Sequence, residues 1–224
     1  MAKTFTNVQT DLAYRLGEDS ATSNTNEKAR RKAFILQGYR DMINRRSWWW
    51  LEASTTFNSI ASQETYTTVE SFPSDFREPI ELRIDDVVYT YIPQSKVFGL
   101  YDSTKSVFNY DNLITSKHYY IFNDTMYVKP ATAAAGTDNI ALKYYKYPAM
   151  PSDDTDTFSI PDQYTQCLDA YAYGRISQID GMRGDASDGF NEFEEMVREM
   201  NVEHNRRKLY GKAIRPVHPG YLVE

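Results

Sequence analysis

The chain has 224 residues, 41 % hydrophobic and 25 % charged, with a formal net charge of −6, which describes a globular protein long enough to bury a sizeable core. No apolar run approaches the ~20 residues of a membrane-spanning helix, so no membrane partner is expected. Cys167 is the only cysteine, which excludes an intrachain disulfide and any cysteine-based metal framework.

The first residues, MAKTFTNVQTDLAYRLGEDS, carry no apolar signal-peptide core, which predicts folding in the cytoplasm. Phe5, Val8, Leu12 and Leu16 recur at helical steps and predict a short helix over 5–16, ended by Gly17. The stretch from Asn26 to Leu51 looks like the organising element. Asn26 suits an N-cap, and Ala29, Ala33, Leu36, Tyr39, Met42 and Ile43 mark one apolar face. The opposite side is cationic, with Lys28, Arg30, Arg31, Lys32, Arg40, Arg45 and Arg46 against Glu27 and Asp41. Trp48, Trp49 and Trp50 follow, all three tryptophans of the chain. Three successive bulky side chains cannot share one helix face. A core hub is the expectation, because large aromatics dominate burial. A nucleic-acid stacking platform beside the basic helix and a subunit interface are the alternatives.

Residues 52–150 change period. Leu82 and Ile84 alternate with polar residues before the turn Asp85-Asp86 and VVYTYI, which reads as a hairpin; HYYIF and TMYVK around Asn123-Asp124 read as a second. Ile140, Leu142 and Tyr144 mark another strand, and Pro73, Pro79, Pro93 and Pro130 are expected at strand ends. A short helical turn is expected between Gln94 and Asp102. From Ile160-Pro161-Asp162 a helix follows with an apolar face of Tyr164, Cys167, Leu168, Tyr171, Ala172, Ile176 and Ile179. Gly181 and Gly184 break it. A second helix runs from about Ala186 to His204, with Phe190, Phe193, Val197 and Met200 on one side. Glu192, Glu195, Glu199 and Glu203 form a stripe roughly 130° away. Residues 205–224, with two prolines, two glycines and no clean helical or alternating pattern, read as an extended basic arm. Arg206, Arg207, Lys208, Lys212 and Arg215 accompany Leu209, Tyr210, Ile214, Val217, Tyr221 and Leu222, which suits docking on a neighbour or partner, a disordered or self-packed terminus being the alternative.

Charge is segregated. Residues 27–46 carry +5, 52–150 carry −4, 151–204 carry −10 and 205–224 carry +4. With 18 Tyr, 11 Phe and 3 Trp, such blocks suit contacts between copies as well as solvated faces. Enzyme chemistry is disfavoured, since phosphate-binding glycine loops, a G-x-S-x-G elbow and H-E-x-x-H are all missing. His118, His204 and His218 lie far apart, and Asp153, Asp154 and Asp156 lack the glycine and distal glutamate of a calcium loop. No catalytic, metal or cofactor residues are assigned.

As a pattern of elements over nearly the whole chain, RRKAFILQGYRDMINRRSWWWLE, IPDQYTQCLDAYAYGRIS, GFNEFEEMVREMN and the tail from Asn205 resemble the head-to-tail adaptor (connector) proteins of tailed bacteriophages. The resemblance implies an α+β fold, in which helices from residues 1–51 and 151–204 form a bundle around a β-rich insertion, 52–150, with 205–224 as the arm. It implies a homo-oligomeric ring, typically of twelve subunits, in the virion neck between portal and tail proteins, around a channel through which double-stranded DNA passes. The arm (Arg206, Arg207, Lys208, Tyr210, Ile214, Val217, Tyr221, Leu222) would then bind the portal, and Glu192, Glu195, Glu199 and Glu203 would line the channel. The smallest members lack so long an insertion, so its role stays open. Rival readings are a tail-completion or tail-terminator protein, a nucleic-acid-binding protein using the basic helix and tail, and a tyrosine-rich carbohydrate module.

Overall fold

A computed structural model describes residues 3–18, 25–93 and 117–212, with side chains as far as Lys208. It is α+β: the described residues hold four helices and a seven-stranded sheet. The chain divides into two compact units, residues 1–50 with 149–224 and residues 51–148.

In the first unit α1 spans Phe5–Arg15, α2 Thr25–Arg45, α3 Gln166–Ile179 and α4 Arg183–Lys212. Thr4 caps α1, accepting from the Asn7 amide while Asn7 accepts from the Thr4 amide. The amides of Phe5 and Thr6 donate to the carbonyls of Asp156 and Asp154, so α1 is tied to the 151–157 loop. Helix α3 is the centre of this unit. It packs against α1, α2 and α4 and buries Cys167, Leu168, Asp169, Ala170, Tyr171, Ala172, Gly174, Ile176 and Ser177. Two glycines let α4 approach it closely: a Cβ on Gly189 would stand 2.7 Å from the Gly174 nitrogen and 2.9 Å from the Ala170 carbonyl oxygen. Gly38 of α2 likewise leaves room for the Tyr171 ring.

Several boundaries differ from expectation. Helix α2 starts at Thr25, so Asn26 lies inside it rather than capping it. Its buried residues are Arg31, Ile35, Gly38, Tyr39, Met42 and Ile43, while Ala29 and Ala33 are exposed and Leu36 half-buried. The dry face is thus turned from the row of alanines because Gly38, unrecognised as apolar, is where Tyr171 fits. Ile179 is exposed, at the last position of α3. Helix α4 starts at Arg183 and runs through residues 205–212, expected to be extended. No proline interrupts that stretch, Arg207 pairs with Glu203 one turn back, and cations suit a helix C-terminus. Residues 213–224 lie outside the described residues, as does the expected turn between Gln94 and Asp102.

In the second unit β1 is Glu52–Ser59, β2 Thr65–Tyr66, β3 Phe76–Ile84, β4 Val87–Tyr91, β5 His118–Phe122, β6 Thr125–Lys129 and β7 Gly136–Lys146. Their order is β1-β7-β3-β4-β5-β6-β2, antiparallel except for β4 and β5, which run parallel through Thr90 and Tyr91. Both expected hairpins form. Asp85-Asp86 and Asn123-Asp124 have positive φ at each position, the turn whose twist matches the strands. Phe57, Tyr66, Phe72, Leu82, Tyr119, Met126, Ile140 and Leu142 fill the core. Pro79 stands within β3, not at its end, beside a register shift between Pro79 and Glu81 where a missing amide donor is tolerated.

Candidate functional site

After α2 ends, the chain turns so that the three indoles meet. Trp48 is fully buried and its Nε1 donates to the Met42 carbonyl at 2.8 Å, which covers a helix-end acceptor. Trp50 stacks on Trp48 (4.8 Å between centroids, 10° between planes), and Trp49 meets Trp50 edge-on at 4.6 Å. Only Trp48 is wholly buried; Trp49 and Trp50 are half-buried. The wall of this cluster is the C-terminal part of α4. His204 lies fully buried with its ring 6.2 Å from both Trp48 and Trp49, and the Arg207 guanidinium covers Trp49 at 4.9 Å. Neither His204 nitrogen, nor the Trp50 Nε1, has a hydrogen-bond partner among the described residues. Burial, with Arg46 and Lys208 nearby, pushes the His204 pKa down to about 4. The Tyr164 hydroxyl and Arg207 both donate to Glu203, which holds that carboxyl below its usual range.

The charges counted as surface blocks are largely consumed inside the unit. Arg30 pairs with Asp180 at 2.7 Å and Lys32 with Asp154 at 2.6 Å; Arg45 pairs with Asp41 and with Glu194. Arg46 donates to Asn201 and Asn205. Arg31 is buried 2.8 Å from the Glu18 carboxylate, in a contact whose angle makes no hydrogen bond. Lys28 and Arg40 form no ion pair among the described residues. The loop aspartates are equally engaged: Asp156 accepts from the amides of Ser152 and Asp153, and Asp154 from Lys32 and Gln9.

The four glutamates of the stripe do not share one environment. Glu192 is half-buried against Arg15 of α1, and Glu203 is tied to Tyr164 and Arg207. Glu195 and Glu199 are exposed, Glu195 with only a 3.4 Å contact to Arg198. With Asp188 and Val202 they form the outward side of α4. Of the arm residues, Arg206, Arg207 and Lys208 are exposed on α4, Tyr210 belongs to its last turn, and Ile214, Val217, Tyr221 and Leu222 lie outside the described residues. A depression of about 410 Å³ lined by the polar residues Asn191, Glu194, Glu195 and Arg198 lacks the apolar side chains of a small-molecule site.

Two interior residues that sequence reasoning passed over carry unusual electrostatics, His204 and Asp169. His204 extends the step Phe193, Val197, Met200 by one turn, a pattern sufficient to place it inside. Asp169 stands among apolar residues of α3, and burial raises its carboxyl to about 6. Among the described residues, no group of three or more His, Cys, Asp or Glu could hold a metal ion, and no helix is long and apolar enough to cross a membrane. A family model described as SU10 adaptor protein matches residues 3–219. No curated protein matches the chain.

Proposed function

The chain belongs to the SU10 adaptor protein family, a phage adaptor family, and we propose on that premise that it forms the head-to-tail ring joining portal to tail in the virion neck. The match over 3–219 is the observation that carries this reading. In this proposal the four helices act as the ring-forming bundle and residues 51–148 as an insertion within it. Copies meet side by side through faces their own ion pairs leave open. On α2 that face holds Ala29, Ala33, Gln37 and Arg40. Small side chains and an open arginine suit contact with an acidic surface of a neighbouring copy.

Glu195 and Glu199 are the stripe residues free to face a DNA channel, since Glu192 and Glu203 are bound to Arg15 and Arg207. Residues 213–224 are the portal-binding segment, carried at the end of α4. The protein is structural rather than catalytic, and its partners are further copies, portal and tail proteins, and DNA in transit. The rival nucleic-acid reading loses its main support, because Arg30, Arg31, Lys32 and Arg45 lie against carboxylates of the same chain.

Imaging of intact virions tests the proposal. A ring of this chain between portal and tail, twelvefold about the DNA channel, is the expected result. Its presence only in fibres, or in a tail-end ring of other symmetry, overturns it. Deleting residues 213–224 should leave a folded protein that no longer joins filled heads; portal binding by the truncated chain rules out that segment as the anchor.

A further inference from the structure

Asp169, in the first turn of α3, lies where α1 and α4 meet α3. The residue is 6 % exposed, and Oδ1 has no hydrogen-bond partner among the described residues. The charges acting on it come from Arg15 and Asp11 of α1 and Glu192 of α4. The cation in this set is already committed: Arg15 pairs with Glu192 and lies 4.5 Å over the ring of Tyr173, one turn along α3 from Asp169. Asp11 is held from outside by Lys3 at 2.7 Å. With Asp169 ionised, a third carboxylate joins Asp11 and Glu192 beside Arg15 and Lys3, and it is the buried one of the three.

We propose that this junction is a proton-operated latch on the N-terminal helix: with Asp169 protonated, the C-terminal half of α1 is held on α3 and α4, and with Asp169 ionised it loosens. The first turn of α1 stays tethered in both states by the Phe5 and Thr6 amides and by the bridge between Thr4 and Thr157. The latch therefore acts on the turn carrying Asp11, Leu12, Ala13 and Arg15. Lifting that turn admits water to the carboxylate, and this relief of burial, the largest influence on the group, outweighs the loss of Arg15, which leaves together with Asp11 on the same turn. The proton comes from solvent and returns to it.

The sign follows from where the carboxyl titrates. With α1 docked its pKa is raised to about 6, against about 3.9 for a free aspartate, so the docked state binds the proton more tightly. Docking is strongest below about pH 4 and weakens as pH rises through 6. The difference of about two pKa units corresponds to roughly a hundredfold in the docking equilibrium. This inference does not depend on what the chain joins or where it sits in a virion.

Amide hydrogen exchange on the purified full-length chain tests it. Protection of residues 11–15 is read relative to residues 170–177 of α3, so that global effects such as titration of His204 cancel. In the wild type that ratio should fall at least about tenfold between about pH 5 and 7.5. In Asp169→Asn, which cannot ionise, it should stay flat at the wild-type low-pH level. Equal pH dependence in both proteins, or none in either, overturns the proposal. So does a carboxyl NMR titration that places Asp169 near 4 in the folded chain.

Discussion

Helices α2 and α3 pack against each other and are held by different means. Helix α3 is buried on almost every side, and glycines at 38, 174 and 189 let its neighbours approach it more closely than any other side chain would permit. Helix α2 keeps one face dry and fastens its rim with half-exposed ion pairs, from Arg30 near its start to Arg45 at its end. Pairs of that exposure contribute about 0–1 kcal/mol each, whereas a fully buried aliphatic side chain contributes about 1.5–3. The unit is therefore built on α3, and the charges of α2 set angle and register more than they hold the fold together.

The largest expected effect comes from emptying the α3 side. Leu168→Ala, at a fully buried position, should lower unfolding free energy by about 2–5 kcal/mol in urea melts. Leu36→Ala on half-buried α2 should cost only about 1 kcal/mol. Equal losses would mean that the two helices are held alike.

Titration separates the same two sides next. Asp169 on α3 has a raised pKa and His204, against Trp48 just beyond α2, a lowered one. A histidine of pKa about 4 when folded and about 6.5 when unfolded supports the fold above 6.5. That support disappears as pH falls from 6.5 through 4, because the unfolded chain takes the proton first. His204→Phe should therefore be less sensitive to acid than the wild type by about 3 kcal/mol between pH 7 and 4, seen as a smaller drop in Tm. Asp169→Asn should change the acid response in the opposite direction.

The glycine contact gives a smaller and more pointed comparison. Gly189→Ala forces α4 off the α3 backbone, an overpacking cost of about 1–3 kcal/mol offset by about 1 of helix propensity. Gly184→Ala, in the first turn of α4 with nothing within 4 Å of the added Cβ, should be neutral or stabilising by up to about 1 kcal/mol. Matching effects in thermal melts would remove the close crossing as an explanation.

These differences also explain what could be read in the sequence. Both hairpins were legible because two-residue turns with alternating flanks are local signals, and Phe5, Val8 and Leu12 placed α1 almost to the residue. The parallel pairing of β4 with β5 was not, since it joins segments that adjoin only in space. The centre of the helical unit was misplaced onto α2 because an amphipathic helix announces its face by contrast. Helix α3, apolar nearly all round, has little contrast to show. Gly174 and Gly189, each inside a helical pattern, were the available signals of close approach. The surface was misread in a physical way too: counting charges along α2 gave a basic face, but Arg30, Lys32 and Arg45 find partners at 180, 154 and 194, distances no local pattern reports.

The smallest expected effects on stability distinguish a cation that braces the fold from one left open. Arg45 lies 2.6 Å from Glu194 and over the Phe193 ring at 5.0 Å, while Arg40 is exposed and unpaired among the described residues. The Glu194 carboxyl is correspondingly held below its usual range by that arginine. Arg45→Gln should cost about 0.5–1 kcal/mol, and added salt should erase part of the difference because the pair is half-exposed. Arg40→Gln should change stability by less than about 0.5 kcal/mol at any salt concentration. If α2 presents its outer face to a neighbouring copy, the order reverses in assembly: Arg40→Gln would weaken association while Arg45→Gln leaves it nearly intact. Sedimentation of both variants, alone and with portal protein, reads this directly. An Arg40 variant that assembles like the wild type would mean that the outer face of α2 meets solvent and that copies join elsewhere.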